Sequence, residues 1–173
     1  MYESNHSQDN ALDLVELGDE LIESLLALEE IDQDPLYHPE GDVLYHVLQV
    51  FEIAHKESHD PELWAAALFH DVGKAVSIPE HAAIGADQLS LDFSPRVTWL
   101  VRHHMDLLYH PKRTRRMWSN TPQLAALEQL RRWDLAGRSP YAHVMSPETA
   151  VEILLAETSI FCGSPAIERT CNY

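Results

Sequence analysis

Leucines at positions 14, 17, 21, 25 and 28 recur at spacings of three and four, while Glu16, Asp19, Glu20 and Glu23 populate the other side. That is the period of an amphipathic helix, predicted here over about Ala11 to Ile31. The next stretch, DQDPLYHPEGD, is broken by Pro35, Pro39 and Gly41 and reads as a loop. A second helix is predicted from about Asp42 to Glu57, with Val43, His46, Val47, Val50 and Ile53 or Ala54 on its inner face. Asp60-Pro61 opens a third, since Asp is a good N-cap and Pro suits the first turn. This helix runs through ELWAAALFHD and is expected to stop at Gly73, placing His70 and Asp71 in its last turn. After the AVSIP loop, a short helix is predicted from about Glu80 to Leu89. Ser94-Pro95, Thr121-Pro122 and Ser146-Pro147 repeat the cap-then-proline signal. The helix after Ser94 has Val97, Leu100, Val101, His104 and Leu108 as its stripe, with His103 off centre. The helix after Thr121 carries Leu124, Leu127, Leu130 or Arg131, and Asp134 on one face and ends near Gly137. The last runs to about Thr158. The intervening YHPKRTRRMWSN reads as a basic loop.

Every clear segment has the helical period and none alternates as a strand does. The expectation is an all-α fold: one domain over residues 1–173, about seven helices, with its chemistry in a core at about 41–138.

Charge narrows the function. The net charge is -16, and such a surface repels a phosphate backbone, so binding of extended nucleic acid is disfavoured. The basic residues are concentrated between Arg96 and Arg138, however. A local patch at Arg113, Arg115, Arg116 and Trp118 is expected to border the entrance for a small phosphorylated substrate, against the plainer reading of solvated arginines in ordinary ion pairs. Cys162 and Cys171 lack metal-motif spacing. They are read as thiols of a reducing compartment, with a tail disulfide as the alternative. No signal-peptide pattern or apolar run of membrane-spanning length is visible, so a cytoplasmic location and no membrane partner are expected. Oligomeric state is left open.

The polar residues on apolar faces carry the chemistry. His70 and Asp71 follow the apolar AAALF, and a carboxylate there needs a partner because unpaired burial is costly. Adjacent helix residues diverge by about 100°, so the pair converges only on something beside the helix edge, and a metal ion suits that. His46 and Asp134 are further polar groups on apolar faces. Together they offer mixed nitrogen and oxygen ligation, which favours Mn, Fe, Co, Ni or Zn over an all-oxygen Ca or Mg site. Lys74 either contacts phosphate or is an exposed lysine favoured by the helix C-terminus. Arg138 either binds substrate or pairs with Asp134 four residues earlier. His6, His38, His59 and His143 read as surface histidines, and His110 as a weak candidate.

His46, His70-Asp71 and Asp134 in this order resemble the signature of the HD-domain superfamily of metal-dependent phosphohydrolases. LFHDVGK (68–74) looks like its core motif and HAAIGA (81–86) like its histidine-before-Gly-Ala segment. LVRHHM (100–105) and WDLAGR (133–138) are similar to pieces of the HD domain attached to bacterial tRNA nucleotidyltransferases. The resemblance implies a helical bundle around a divalent metal held by His46, His70, Asp71 and Asp134, with His81 and His104 as second-metal ligands or substrate contacts where two ions are used. It implies hydrolysis of a phosphomonoester, nucleotide or cyclic nucleotide by metal-activated water, with Asp71, Lys74, His81 and His104 as catalytic candidates and Lys74 and Arg138 toward phosphate. The sequence departs from the tRNA enzymes in that no nucleotidyltransferase domain precedes the helices, and it has no GYP signature of cyclic-dinucleotide phosphodiesterases. Two alternatives remain: another metal-dependent reaction on the same scaffold, and a metal-stabilised regulatory or binding module.

Overall fold

The computed structural model describes residues 6–162, with side chains from residue 14. Nine α-helices follow one another in this part of the chain: α1 (His6–Leu26), α2 (Val43–Glu57), α3 (Pro61–Phe69), α4 (His81–Leu89), α5 (Pro95–His103), α6 (Asp106–Tyr109), α7 (Pro111–Met117), α8 (Pro122–Ala136) and α9 (Pro147–Leu155). Two 3₁₀ turns, Val72–Ala75 and Thr158–Ile160, complete the set. Among the described residues β pairing is limited to two isolated bridges, Asp32 with Asp42 and Phe93 with Phe161. The all-α reading holds. No helix of the described residues is long and apolar enough to cross a membrane.

The helix starts obey local chemistry. Asp42, Asp60, Ser94, Thr121 and Ser146 each accept a hydrogen bond from a backbone N–H of the first turn that follows. Such caps are each worth about 1 kcal/mol. The centre of the bundle is α3, every residue of which from Leu63 to Phe69 is buried. It packs against α2, α5, α8 and α9, while α4 lies on α5 and on the first 3₁₀ turn. A helix surrounded on all sides must be apolar on all sides, which accounts for LWAAALF.

Four expectations need correction. The first helix spans His6–Leu26 rather than Ala11–Ile31. Its leucine stripe continues to Leu28, which is buried, but Glu30 adopts φ 61° and its N–H donates to Asp42 Oδ2 at 2.7 Å. The Asp42 carboxylate thus draws the chain out of the helix while capping α2. Second, α3 ends at Phe69 rather than carrying His70 and Asp71 in its last turn. His70 is its C-cap, and Asp71 leads into the 3₁₀ turn. Third, Gly73 does not end a helix but lies within that turn. Fourth, the basic "loop" contains α7. Pro111 fits its first turn and the buried Thr114 hydroxyl donates to His110 and Asp106 carbonyls. Dense charge and one proline had masked a short helix.

The thiol of Cys162 donates to the Phe93 carbonyl at 3.0 Å. Cys171 and the side chain of His6 lie outside the described residues. His59 and His143 are exposed, as surface histidines are expected to be, and the weak candidate His110 is exposed too.

Candidate metal centre

Five elements converge on one end of the bundle. His46 comes from α2, His70 and Asp71 from the exit of α3, His81 from the first residue of α4, His104 from the end of α5, and Asp134 from the last turn of α8. All six side chains are buried. The structure therefore brings together every ligand candidate named from the sequence.

The four imidazoles share one device. Their Nδ1 atoms each face a backbone carbonyl: His46 to Gly137 at 2.9 Å, His70 to Ala67 at 3.0 Å, His81 to Ile78 at 2.6 Å and His104 to Val101 at 2.6 Å. A carbonyl only accepts, so the bond requires the proton on Nδ1 and turns Nε2 inward. The buried Nε2 atoms of His46 and His70 have no hydrogen-bond partner. Those of His81 and His104 face each other at 3.1 Å, an approach that a proton or cation between them relieves. Buried polar atoms are rarely orphaned, and here the unsatisfied atoms are ring nitrogens grouped with carboxylates. That donor set fits a divalent transition metal.

Two triads that could hold an ion result. His46, His70 and Asp134 place one ligand atom each within 4.8 Å of the others, and so do Asp71, His81 and His104. Asp71 faces both groups. Its Oδ2 lies 3.4 Å from His70 Nε2, and its Oδ1 lies 3.3 Å from His81 Nε2 and 3.7 Å from His104 Nε2.

Burial and charge pull against each other here. Burial opposes ionisation of Asp71, but His70, Lys74 and the other imidazoles hold its carboxyl far below the ordinary range. Asp134 behaves likewise through His46, His70 and Arg138. Burial opposes charge on His46 too, yet the carboxylates of Asp134, 3.3 Å from its Nε2, and Glu40, 2.9 Å from its Nδ1, raise its pKa to about 9. His104, buried and crowded by His70, is pushed down to about 3. Burial also lowers His70. The carboxylates are thus ionised at neutral pH and His104 is a neutral donor, as metal ligation demands, whereas ligation by His46 requires release of the proton that its two carboxylates favour.

Lys74 Nζ donates at 2.7 Å to both Asp71 Oδ2 and Gln33 Oε1. Arg138 donates to Asp134 Oδ1 at 3.0 Å and to the Tyr37 carbonyl at 2.8 Å. These groups surround a cavity of about 570 Å³ lined by His70, Asp71, His81, His104 and Asp134 together with Tyr37, His38, Tyr109 and Arg131.

Sequence reasoning missed three of its neighbours. Arg131 bonds Asp134 Oδ2 at 2.5 Å from one helical turn earlier, a spacing that was available as a signal. His38 is half-buried rather than a surface histidine, and it bonds Glu40. Glu40, itself buried, lies against His46. Both come from an irregular loop, where no periodicity marks an inward residue. Apart from Tyr109, the basic segment does not line the main cavity. Arg113 and Trp118 line a smaller neighbouring cavity of about 290 Å³, and Arg115 pairs with Glu128.

The chain matches the model of the HD domain over residues 43–146. It is also similar to proteins called "Multifunctional CCA protein". The likeness is 44% identity over 50 residues in Methylococcus capsulatus, covering 29% of this chain and 12% of that protein. In Hahella chejuensis it is 39% over 75 residues, covering 39% and 18%. In Halorhodospira halophila it is 34% over 82 residues, covering 45% and 19%. The chain thus matches less than a fifth of the length of each of these relatives.

Proposed function

This chain belongs to the HD-domain family, and from that premise we propose that it is a metal-dependent phosphohydrolase acting on a small phosphomonoester, nucleotide or cyclic nucleotide. One observation carries the reading: four carbonyl-anchored imidazoles turn their Nε2 atoms toward two carboxylates beside a cavity that also holds Lys74, Arg131 and Arg138. The volume, about 570 Å³, is in the range of small-molecule sites.

His46, His70, Asp71 and Asp134 would hold one divalent transition metal, and Asp71, His81 and His104 a second where two are used. Such ions supply Lewis acidity toward a phosphoryl oxygen and lower the pKa of water. The chain's own residues do the rest. Lys74 Nζ and the guanidinium of Arg138 sit beside Asp71 and Asp134 and offset charge that develops on the phosphoryl oxygens. Asp71 orients the attacking water by accepting a hydrogen bond from it at a carboxylate oxygen. Where a single ion is held, a protonated His81 is placed to deliver the proton from its Nε2 to the leaving oxygen, while His104, held neutral by burial, positions that ring by accepting at its own Nε2 3.1 Å away. The carbonyl bonds keep the rings from rotating, so geometry is set before substrate arrives.

The test is turnover of phosphomonoesters, nucleotides and 2′,3′-cyclic nucleotides by metal-stripped protein, with Mn, Fe, Co, Ni or Zn added back, beside Asp71→Ala. Metal-dependent release of phosphate or nucleotide, lost in the variant, is expected. Tight metal binding with no turnover of any class would refute the enzymatic reading in favour of a metal-stabilised regulatory module.

A further inference from the structure

Of the four imidazoles, His46 alone has a carboxylate beside its anchored nitrogen. Glu40 Oε1 lies 2.9 Å from His46 Nδ1 and 2.9 Å from His38 Nδ1. The Glu40 side chain is fully enclosed, and its Oε2 is buried without a hydrogen-bond partner. His46 is fully enclosed as well, and its Nε2 is also without one. A carboxylate left half-satisfied in the interior is expensive. The loop around it, HPEGD, offers no lysine or arginine to compensate.

We infer that Glu40 is a positioning residue that acts through His46: its charge, set against the Nδ1–H side of the ring, strengthens Nε2 as a donor toward the ion held with His70 and Asp134. The Gly137 carbonyl already fixes the tautomer of His46 at 2.9 Å. What Glu40 adds is negative charge on the far side of the imidazole. An anionic partner pushes electron density toward the ligating nitrogen and makes it a better base. The arrangement is one-sided, because Ala67, Ile78 and Val101 offer the other three rings only neutral carbonyls. The triad containing His46 is therefore the stronger of the two, and the first ion should enter there.

The same atoms admit a competing arrangement, a cation held by His38, Glu40 and His46 themselves, whose ligand atoms also lie within 4.8 Å of one another. Two features disfavour it. His46 Nδ1 already donates to Gly137 and His38 Nδ1 to Glu40, so both nitrogens would have to give up their protons. An ion there would also share the His46 ring with the neighbouring triad, where a second dication would be repelled.

The inference rests on the metal-centre reading above but not on catalysis, and the measurement is made on metal binding. Full-length Glu40→Gln, Glu40→Ala and His38→Ala are loaded with Mn or Co. Affinity is measured by chelator competition, stoichiometry by elemental analysis, and the Co(II) absorption bands report ligand-field changes. Because the contribution is charge rather than shape, Glu40→Gln is expected to lose about as much affinity for the first ion as Glu40→Ala. The loss should be about 10–100-fold in each, with altered Co(II) bands. His38→Ala should keep wild-type affinity and stoichiometry. Wild-type affinity in Glu40→Gln would overturn the inference by reducing Glu40 to a packing residue. Loss of one whole equivalent in both Glu40→Ala and His38→Ala would overturn it in favour of a cation bound by the loop itself. Wild-type protein that binds metal tightly yet hydrolyses nothing would sink the phosphohydrolase proposal and leave this one standing.

Discussion

Gly73→Ala tests how the second triad is built. A Cβ at residue 73 would meet the His81 carbonyl oxygen at 2.2 Å, the Gly85 nitrogen at 2.7 Å and the His81 carbonyl carbon at 2.9 Å. All three are backbone atoms, so no side-chain rotation relieves the clash. To reach ordinary contact, the first turn of α4 must retreat from the 3₁₀ turn by about 1 Å. That turn carries His81, whose Nε2 stands 3.3 Å from Asp71 Oδ1 and 3.1 Å from His104 Nε2. Overpacking of this kind costs about 1–3 kcal/mol. A loss of about 2 kcal/mol in a chain of this size lowers Tm by roughly 4–8 °C. The effect on turnover should exceed the effect on folding, since misplacement by about 1 Å can cost about 100-fold. Gly85→Ala is the internal control. Its Cβ would meet the Val72 Cγ1 at 3.1 Å and the Gly73 nitrogen at 3.2 Å, which neighbours relieve by yielding a few tenths of an ångström. Alanine also gains about 0.5–1 kcal/mol over glycine inside a helix, so stability should change by less than about 1 kcal/mol. The assays are thermal unfolding followed by circular dichroism, metal content and turnover. Wild-type turnover in Gly73→Ala, or equal damage in Gly85→Ala, would refute the argument that close backbone approach sets His81.

Asp134→Ala should reduce hydrolysis by orders of magnitude and weaken the first ion while leaving most of the helical signal. It removes the acceptor of both Arg131 and Arg138 as well as a ligand candidate; wild-type metal affinity and turnover in the variant would make Asp134 a partner of those arginines alone. His81→Ala and His104→Ala should lower turnover more than retention of the first ion, because the triad that contains them is separate from that of His46. Equal loss of all metal would contradict this division. Away from the site, Asp60 caps α3 and accepts a two-pronged bond from Arg96 at 2.8 and 3.0 Å. Burial opposes its charge, but Arg96 and the capped N–H groups outweigh that and hold its pKa low. The stability it contributes is therefore fully present above the unfolded value of about 3.9 and is lost as pH falls through the lower folded value. Asp60→Asn should flatten the acid limb of the stability curve and cost about 0.2–1 kcal/mol at neutral pH, because Asn keeps the cap and loses only the charge toward a partly exposed Arg96, and chemical denaturation from pH 2 to 7 checks both; an unchanged acid limb would show that the pair does not couple to folding.

Helices and their starts were legible because their causes are local. Asp, Ser or Thr before Pro both caps the first N–H groups and suits the first turn, and a leucine stripe needs no distant partner to be read. His46, His70, Asp71 and Asp134 stood out as candidates for a related reason. A polar residue on an apolar helix face, or directly after an apolar helix, contradicts the pattern around it, and the contradiction marks a candidate. His38 and Glu40 left no such mark, because in an irregular loop inward and outward residues follow no period. The end of the first helix was decided by Asp42 reaching back to Glu30, a contact twelve residues long that no window of helical periodicity contains. Gly73 looked like a helix terminator, but its reason is the backbone of α4 lying against it. The division of the ligand candidates into two triads, with Asp71 between them, belongs to the tertiary structure alone. Sequence order states which elements carry the ligand candidates, but distances between elements far apart in the chain are set only when α3 is packed among α2, α5 and α8.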